Sequence, residues 1–483
     1  MKRLVMDKEK AGWMVLLLIV VVLIGLYTFV FTDVKVLDYE AELDSIEGLN
    51  NNGFQASNIS EDYNVLLIVL DTTRPDHLGA YGYPKNTSPN IDSLADEGVL
   101  FKNAFTTIPY TPSAHISMMT STYPFVFQPR IPGAAPTGNV LIGDEYITLA
   151  EILRYNNYKT AGFVSVGLMS NHSGLNQGFD KYEVAEGVWT ANKTVPKAVE
   201  WLDENYQSNF FMWVHLYDPH DPYSPPNNFS ELHHDYEVPY DKVGVSGVSS
   251  IKQVLADYDG DISYSDQQIG LLLERLKELG VENNTLVVFT SDHGEQFGEH
   301  LPPYYRGMSA PLLYQHARAL YEDEVHIPLI IKMPRKIEEN ITIEGLVENI
   351  DITPTILELL NISVPSQFQG RSMTEAIAGK ENITRKYVFS HLYPIISPYY
   401  KSMVRTEDYK LIYDHYNQES QLFNLSNDEY EMVNLYDNET EIVSEMEDEM
   451  IDLIQEYTVI TDLHVPDIRS ESVEKLKALG YLV

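Results

Sequence analysis

The sequence predicts an α/β fold. A mostly parallel central sheet is sandwiched by helices, followed by a smaller C-terminal α+β subdomain and preceded by an N-terminal transmembrane helix. Three observations carry this reading. Continuous apolar runs of strand length recur at 65–70, 163–166, 210–216, 286–289 and 328–331, as in strands buried on both faces. Helical patterns fall between them, notably at 262–279 and 352–360, and such alternation argues for parallel strands joined by crossover helices. Residues 11–31 carry no charged side chain.

That uncharged stretch follows a basic flank, residues 1–10, holding Lys2, Arg3, Lys8 and Lys10. As a helix it would reach about 30 Å, enough to cross a hydrocarbon core. A cleaved signal peptide would have a shorter apolar region ending in small residues, and Gly25-Leu26-Tyr27-Thr28-Phe29 offers no such end. Basic sequence before the span and acidic sequence after it place the N-terminus in the cytoplasm. The expectation is a single-pass cell-membrane protein with its bulk outside. Asn-X-Ser/Thr sites recur from Asn58 to Asn438, more often than average composition yields, which fits a glycosylated surface protein.

Residues 32–61 are acidic and lack a sustained apolar period, as in a stalk. Residues 62–372 then hold the strand–helix alternation, and 373–483 form the smaller subdomain, with strand-like pieces at 386–389 and 410–413 and a charged helix at 441–457. A net charge of −38 argues against nucleic acid as a partner, because phosphate backbones are met by Lys and Arg. The chain has no cysteine, which excludes disulfides, thiolate metal sites and a cysteine nucleophile.

In parallel sheets ligands gather at the C-terminal ends of strands. Three acid or imidazole clusters stand at such ends. Leu70 runs into Asp71-Thr72-Thr73-Arg74-Pro75-Asp76-His77, Leu216 into Tyr217-Asp218-Pro219-His220, and Phe289 into Thr290-Ser291-Asp292-His293-Gly294-Glu295. One such residue is commonly a turn or helix cap. Three clusters on one face of one sheet are hard to explain as caps.

The segment 64–83 resembles the opening of the sulfatase family of the alkaline phosphatase superfamily. The run Thr290 to Glu295 with Gly298-Glu299-His300 is similar to another of its blocks. So are Leu320-Tyr321-Glu322 with Ile327-Pro328-Leu329-Ile330, Asp351-Ile352-Thr353-Pro354-Thr355, and Leu479-Gly480-Tyr481. The matches keep the family's order over about 62–483. The resemblance implies an alkaline phosphatase-like sheet and a metal-dependent ester hydrolase.

The nucleophile segment departs from the family. Sulfatases carry Cys or Ser in a Cys-X-Pro-Ser-Arg pattern, and oxidise it to formylglycine. Here the chain reads Tyr110-Thr111-Pro112-Ser113-Ala114-His115. Matching Pro112-Ser113 puts Tyr110 at the nucleophile. Anchoring on Thr120-Ser121 and Tyr123-Pro124 instead puts Thr111 there and His115 at the Arg position, and this register is preferred. Pro112 then starts a helix with Thr111 as its cap. Threonine carries a methyl on Cβ and cannot become the aldehyde, but its alkoxide can attack phosphorus. Thr111 in this place resembles the phosphodiesterases, phosphonate monoester hydrolases and headgroup phosphotransferases of the superfamily.

By the same resemblance Asp71, Thr111, Asp292 and His293 hold one divalent metal. Two carboxylates, an imidazole and an alkoxide suit Mn²⁺ or Zn²⁺ best, with Mg²⁺ or Ca²⁺ as alternatives. Thr72 replaces a second Asp of many sulfatases. His115 and His220 are expected to act in catalysis, His215 and His316 to contact substrate or a second metal, and Arg74 with Asp76 to brace the first loop. The expected substrate is a phosphate ester, phosphodiester or phosphonate outside the cytoplasm. The alternatives are a sulfate ester cleaved without formylglycine and an inactive surface protein of the same fold.

Overall fold

The computed structural model describes residues 63–459 apart from 128–141, 144, 171–172, 227, 234–250, 301–315, 381–384, 394–399 and 416. The basic flank, anchor and stalk expected over 1–61 lie outside these residues. Among the described residues no helix is long and apolar enough to cross a membrane.

Eight strands build the large sheet: β1 (Asn64–Leu70), β2 (Val99–Phe105), β3 (Lys159–Val164), β4 (Lys181–Val184), β5 (Phe210–Leu216), β6 (Thr285–Thr290), β7 (His326–Lys332) and β8 (Ile341–Glu348). Their order is β4-β3-β5-β1-β6-β7-β2-β8. Neighbours are parallel except where β7 meets β6 and β2, so the sheet is mostly parallel. β1 lies between β5 and β6, with Val69 opposite both His215 and Thr290. The chain therefore leaves all three strands at one edge, which brings the three sequence clusters together.

The helices are α1 (Pro89–Asp96), α2 (Thr111–Thr120), α3 (Leu149–Tyr155), α4 (Ala191–Asn205), α5 (Ile251–Glu278), α6 (Ile352–Leu359) and α7 (Thr440–Val459). Strand periodicity divides them between two faces. Leu66, Ile68 and Leu70 with Met212, Val214 and Leu216 form one core with α1, α4 and α5. The alternate residues Trp213 and His215 face the other way, where their rings lie near His115 of α2. On that side α3 packs on β3, and α2 contacts α3 and α6. A sheet buried on both faces explains why its strands read as unbroken apolar runs.

The C-terminal part folds as a second sheet of β9 (Val388–Leu392), β10 (Lys401–Arg405), β11 (Tyr409–Asp414) and β12 (Glu419–Asn424), antiparallel throughout. One face packs under α7 through Val404, Leu411, Met446 and Met450. The other shares a core with the large-sheet side, Met403, Ile412 and Phe423 meeting Phe105, Leu320 and Leu346. A buried charge joins the two parts as well. Lys410 Nζ lies 2.7 Å from Glu322 Oε1 and 2.8 Å from Glu431 Oε1.

Candidate active site

The loop after β1 sets the first ligand. Thr72 adopts φ 52°, a left-handed backbone that a β-branched residue rarely takes and that occurs where surrounding contacts impose it. Its N–H donates to Asp292 Oδ1 at 3.2 Å, its hydroxyl donates to the Pro219 carbonyl at 2.9 Å, and its carbonyl accepts from Tyr258 at 2.7 Å. Thr72 thus ties the loops after β1, β5 and β6 together, whereas an Asp there would add a ligand.

The loop after β6 holds Asp292 and His293. Asp292 Oδ1 also accepts the His293 N–H at 2.9 Å, and Oδ2 has no hydrogen-bond partner although buried. His293 Nδ1–H donates to the Gly294 carbonyl at 2.9 Å. That fixes the tautomer and leaves Nε2 as a lone pair. Gly294 is required by space, since a Cβ there would run into the Asp323 carbonyl.

Thr111 is the first residue of α2, not its cap. The cap is Tyr110, in extended conformation, and its side chain makes no capping hydrogen bond. Pro112 at the second position is compatible with that start because no N–H is needed there. The Thr111 hydroxyl instead lies 3.1 Å from His293 Nε2. Asp71, Asp292 and His293 each offer a ligand atom, all within 4.8 Å of one another and all buried. Asp71 Oδ1 is likewise unpartnered.

Electrostatics show what this cluster lacks. Burial, reinforced by the charges of Asp292 and Glu295, raises the Asp71 pKa well above the usual carboxylate range. Burial would raise Asp292 too, but His293, His115 and His215 outweigh it and hold the carboxyl at about 2. Two buried carboxylates with orphaned oxygens, a bare imidazole nitrogen and a hydroxyl form a donor set that fits a divalent cation.

The expected histidines all reach the site. His115 Nδ1–H donates to the Thr111 carbonyl at 2.8 Å, and His215 Nε2 lies 3.1 Å from Asp71 Oδ2. His220 stacks on Tyr217 with centroids 4.2 Å apart and donates from Nδ1 to the Asp221 carbonyl at 2.6 Å. The His316 ring is 4.2 Å from that of His293 and 4.9 Å from that of His220. Burial lowers His220, His293 and His316 to about 4 each, so all three are neutral at pH 7. Arg74 and Asp76 do brace the loop. Arg74 holds Asp76 by two bonds and reaches Glu299 and the Glu295 carbonyl.

Glu295 was not among the expected site residues. It is fully buried, and its Oε1 lies 3.2 Å from His316 Nδ1. Burial raises its carboxyl to about 7. Its sequence signal is its place at the end of the Asp292-His293-Gly294-Glu295 run that follows β6.

The family model described as Sulfatase matches residues 63–362. One described as N-sulphoglucosamine sulphohydrolase, C-terminal, matches 313–456. The ulvan-active sulfatase of Formosa agariphila is 25% identical over 347 residues, covering 65% of this chain and 65% of its own. The arylsulfatase of Clostridium perfringens is 25% identical over 440 residues, covering 75% of this chain and 88% of its own. Among solved structures, the phosphonate monoester hydrolase of Agrobacterium radiobacter is similar with TM-score 0.69 at 18% identity, over 82% of this chain and 96% of that one. A protein solved with its substrate D-glucosamine-2-N,6-O-disulfate gives 0.71 at 19% identity, over 82% and 98%. These structural likenesses concern the fold.

Proposed function

The chain belongs to the sulfatase family of the alkaline phosphatase superfamily, and from that premise we propose that it cleaves phosphate ester, phosphodiester or phosphonate groups through Thr111. One observation carries the proposal: the hydroxyl facing the candidate metal ligands is a threonine's, which cannot be converted to formylglycine. The register that selects Thr111 over Tyr110 is supported by the 3.1 Å approach of the Thr111 hydroxyl to His293 Nε2.

A divalent cation held by Asp71, Asp292, His293 and Thr111 would acidify the hydroxyl and offset phosphoryl charge. The chain's own groups do the rest. The Thr111 hydroxyl gives up its proton and Oγ1 bonds to phosphorus as the bond to the leaving oxygen breaks. The leaving group departs as the alcohol carrying one proton, and water later cleaves the phospho-threonine to restore the hydroxyl and release the phosphoryl product. The N-terminal end of α2 favours the anionic phosphoryl group beside Thr111. His220, with its Nδ1 proton committed to Asp221, presents Nε2 as a proton acceptor. It therefore suits activation of the cleaving water better than protonation of the leaving group. We place the reaction on the outer face of a membrane, following the charge pattern around residues 11–31.

A second reading, sulfate ester hydrolysis without formylglycine, is favoured by the sulfatase names of the curated relatives. Aryl phosphate, phosphodiester, phosphonate and sulfate substrates, each assayed with Mn²⁺, Zn²⁺, Mg²⁺ and Ca²⁺, separate the two. Turnover of phosphorus substrates is expected. Sulfate turnover without any phosphoryl turnover would overturn the proposal.

A further inference from the structure

The geometry points to a second cation position, formed by His115, His215 and Asp292, so that Asp292 bridges two metal ions. A ligand atom from each of these residues lies within 4.8 Å of the others. This set and the set of Asp71, Asp292 and His293 share Asp292 alone. The inference rests on reading the latter set as the first cation site.

The hydrogen bonding argues for a ligand. His115 uses its Nδ1 proton on the Thr111 carbonyl, so Nε2 is a bare lone pair, and that atom is buried without a partner. His215 Nδ1 is buried without a partner too. If these rings were only structural supports, two imidazoles would each bury an unsatisfied nitrogen, which is unfavourable. A cation replaces at least the loss at His115. On the shared carboxylate, Oδ1 is occupied by two backbone N–H groups while Oδ2 is unpartnered. That free oxygen sits 3.4 Å from His293 Nε2 and 3.8 Å from the proton-bearing Nδ1 of His115, so it lies beside both rings.

Charge argues the same way. The carboxylates of Asp71 and Asp292 together match the charge of one divalent cation. A second cation would add positive charge beside that of the α2 N-terminus, where paired metals can stabilise both the attacking and the leaving oxygen.

The test uses the full chain in detergent, stripped by chelator and reloaded with Mn²⁺ alone. Bound metal is read by mass spectrometry and metal–metal coupling by electron paramagnetic resonance. About two Mn²⁺ per chain with a spin-coupled signal are expected, as for paired sites. His115→Ala and His215→Ala should each retain only the first ion and lose the coupling. One uncoupled Mn²⁺ per chain in the unmodified protein overturns the inference and leaves the first site standing. Because that readout needs no variant, it decides even if a substitution unfolds the chain. Failure to bind any Mn²⁺ would instead overturn the first site, and this inference with it.

Discussion

The hydroxyl of Thr111 and the Nε2 of His293 stand 3.1 Å apart, although 182 residues separate them in the chain. The proton on His293 Nδ1 is already given to a carbonyl. The hydroxyl therefore meets a nitrogen lone pair in a buried setting, poised to give up its proton or share a cation.

Thr111→Ala should abolish turnover, by at least the 10²-fold typical of losing a positioned catalytic group. Only one small side chain disappears, so the thermal midpoint should move little. Thr111→Ser should keep partial activity because the hydroxyl survives. Mass spectrometry of a rapidly quenched reaction should find phosphate on the peptide containing Thr111. Phosphate on Tyr110, or normal turnover by Thr111→Ala, would show that the other register is right.

Asp292→Asn and His293→Ala should weaken metal affinity more than 10-fold, since changes even around metal ligands cost 10–100-fold. Asp76→Asn serves as the comparison. Its carboxylate is largely exposed, so the change should leave metal content intact and shift stability by no more than about 1 kcal/mol. Titration with Mn²⁺ followed by calorimetry measures all three. Unchanged affinity in both Asp292→Asn and His293→Ala would remove them from the site.

Stability should depend on pH through Asp261 of α5. Its carboxyl is buried, accepts the Ser224 N–H at 3.0 Å, and is pushed up to about 9 by burial and then by Asp218. A carboxyl whose folded pKa is raised stabilises fully below its unfolded value, near 4, and loses that contribution as pH rises towards 9. Asp261→Asn removes the titration. The variant should thus gain on the parent protein in thermal midpoint between pH 5 and pH 8. A constant gap across that range would contradict the assignment.

Protease added to intact cells should digest the chain beyond residue 33, given the basic flank ahead of the apolar stretch. Protection of the C-terminal part until the membrane is broken would reverse the orientation.

Legibility followed burial and pairing. β1, β5 and β6 showed plainly in the sequence because both faces are covered. β2 did not, since Lys102 and Asn103 interrupt it at an irregularity in its pairing. β7 looked like its parallel neighbours although it runs against them, because an apolar run carries no direction. The helix expected from 262 begins at Ile251, and polar Asp257, Asp259 and Asp261 masked its first turns. At the site, the residue types were legible, and the residues expected there lie close together. What was hidden was conformation. Thr111 heads α2 rather than capping it, and Thr72 ties loops together through its backbone and hydroxyl. Such features depend on partners more than a hundred residues away.

The shared apolar layer beneath the second sheet has a consequence for any attempt to shorten the protein. A chain ending at 372 would keep every proposed ligand, yet it would strip the cover from Phe105, Leu320 and Leu346 and leave Glu322 without Lys410. Phe105 ends the strand that leads towards Thr111. The second sheet is thus the floor on which the nucleophile's approach rests, and removing it should yield an insoluble fragment rather than a minimal enzyme.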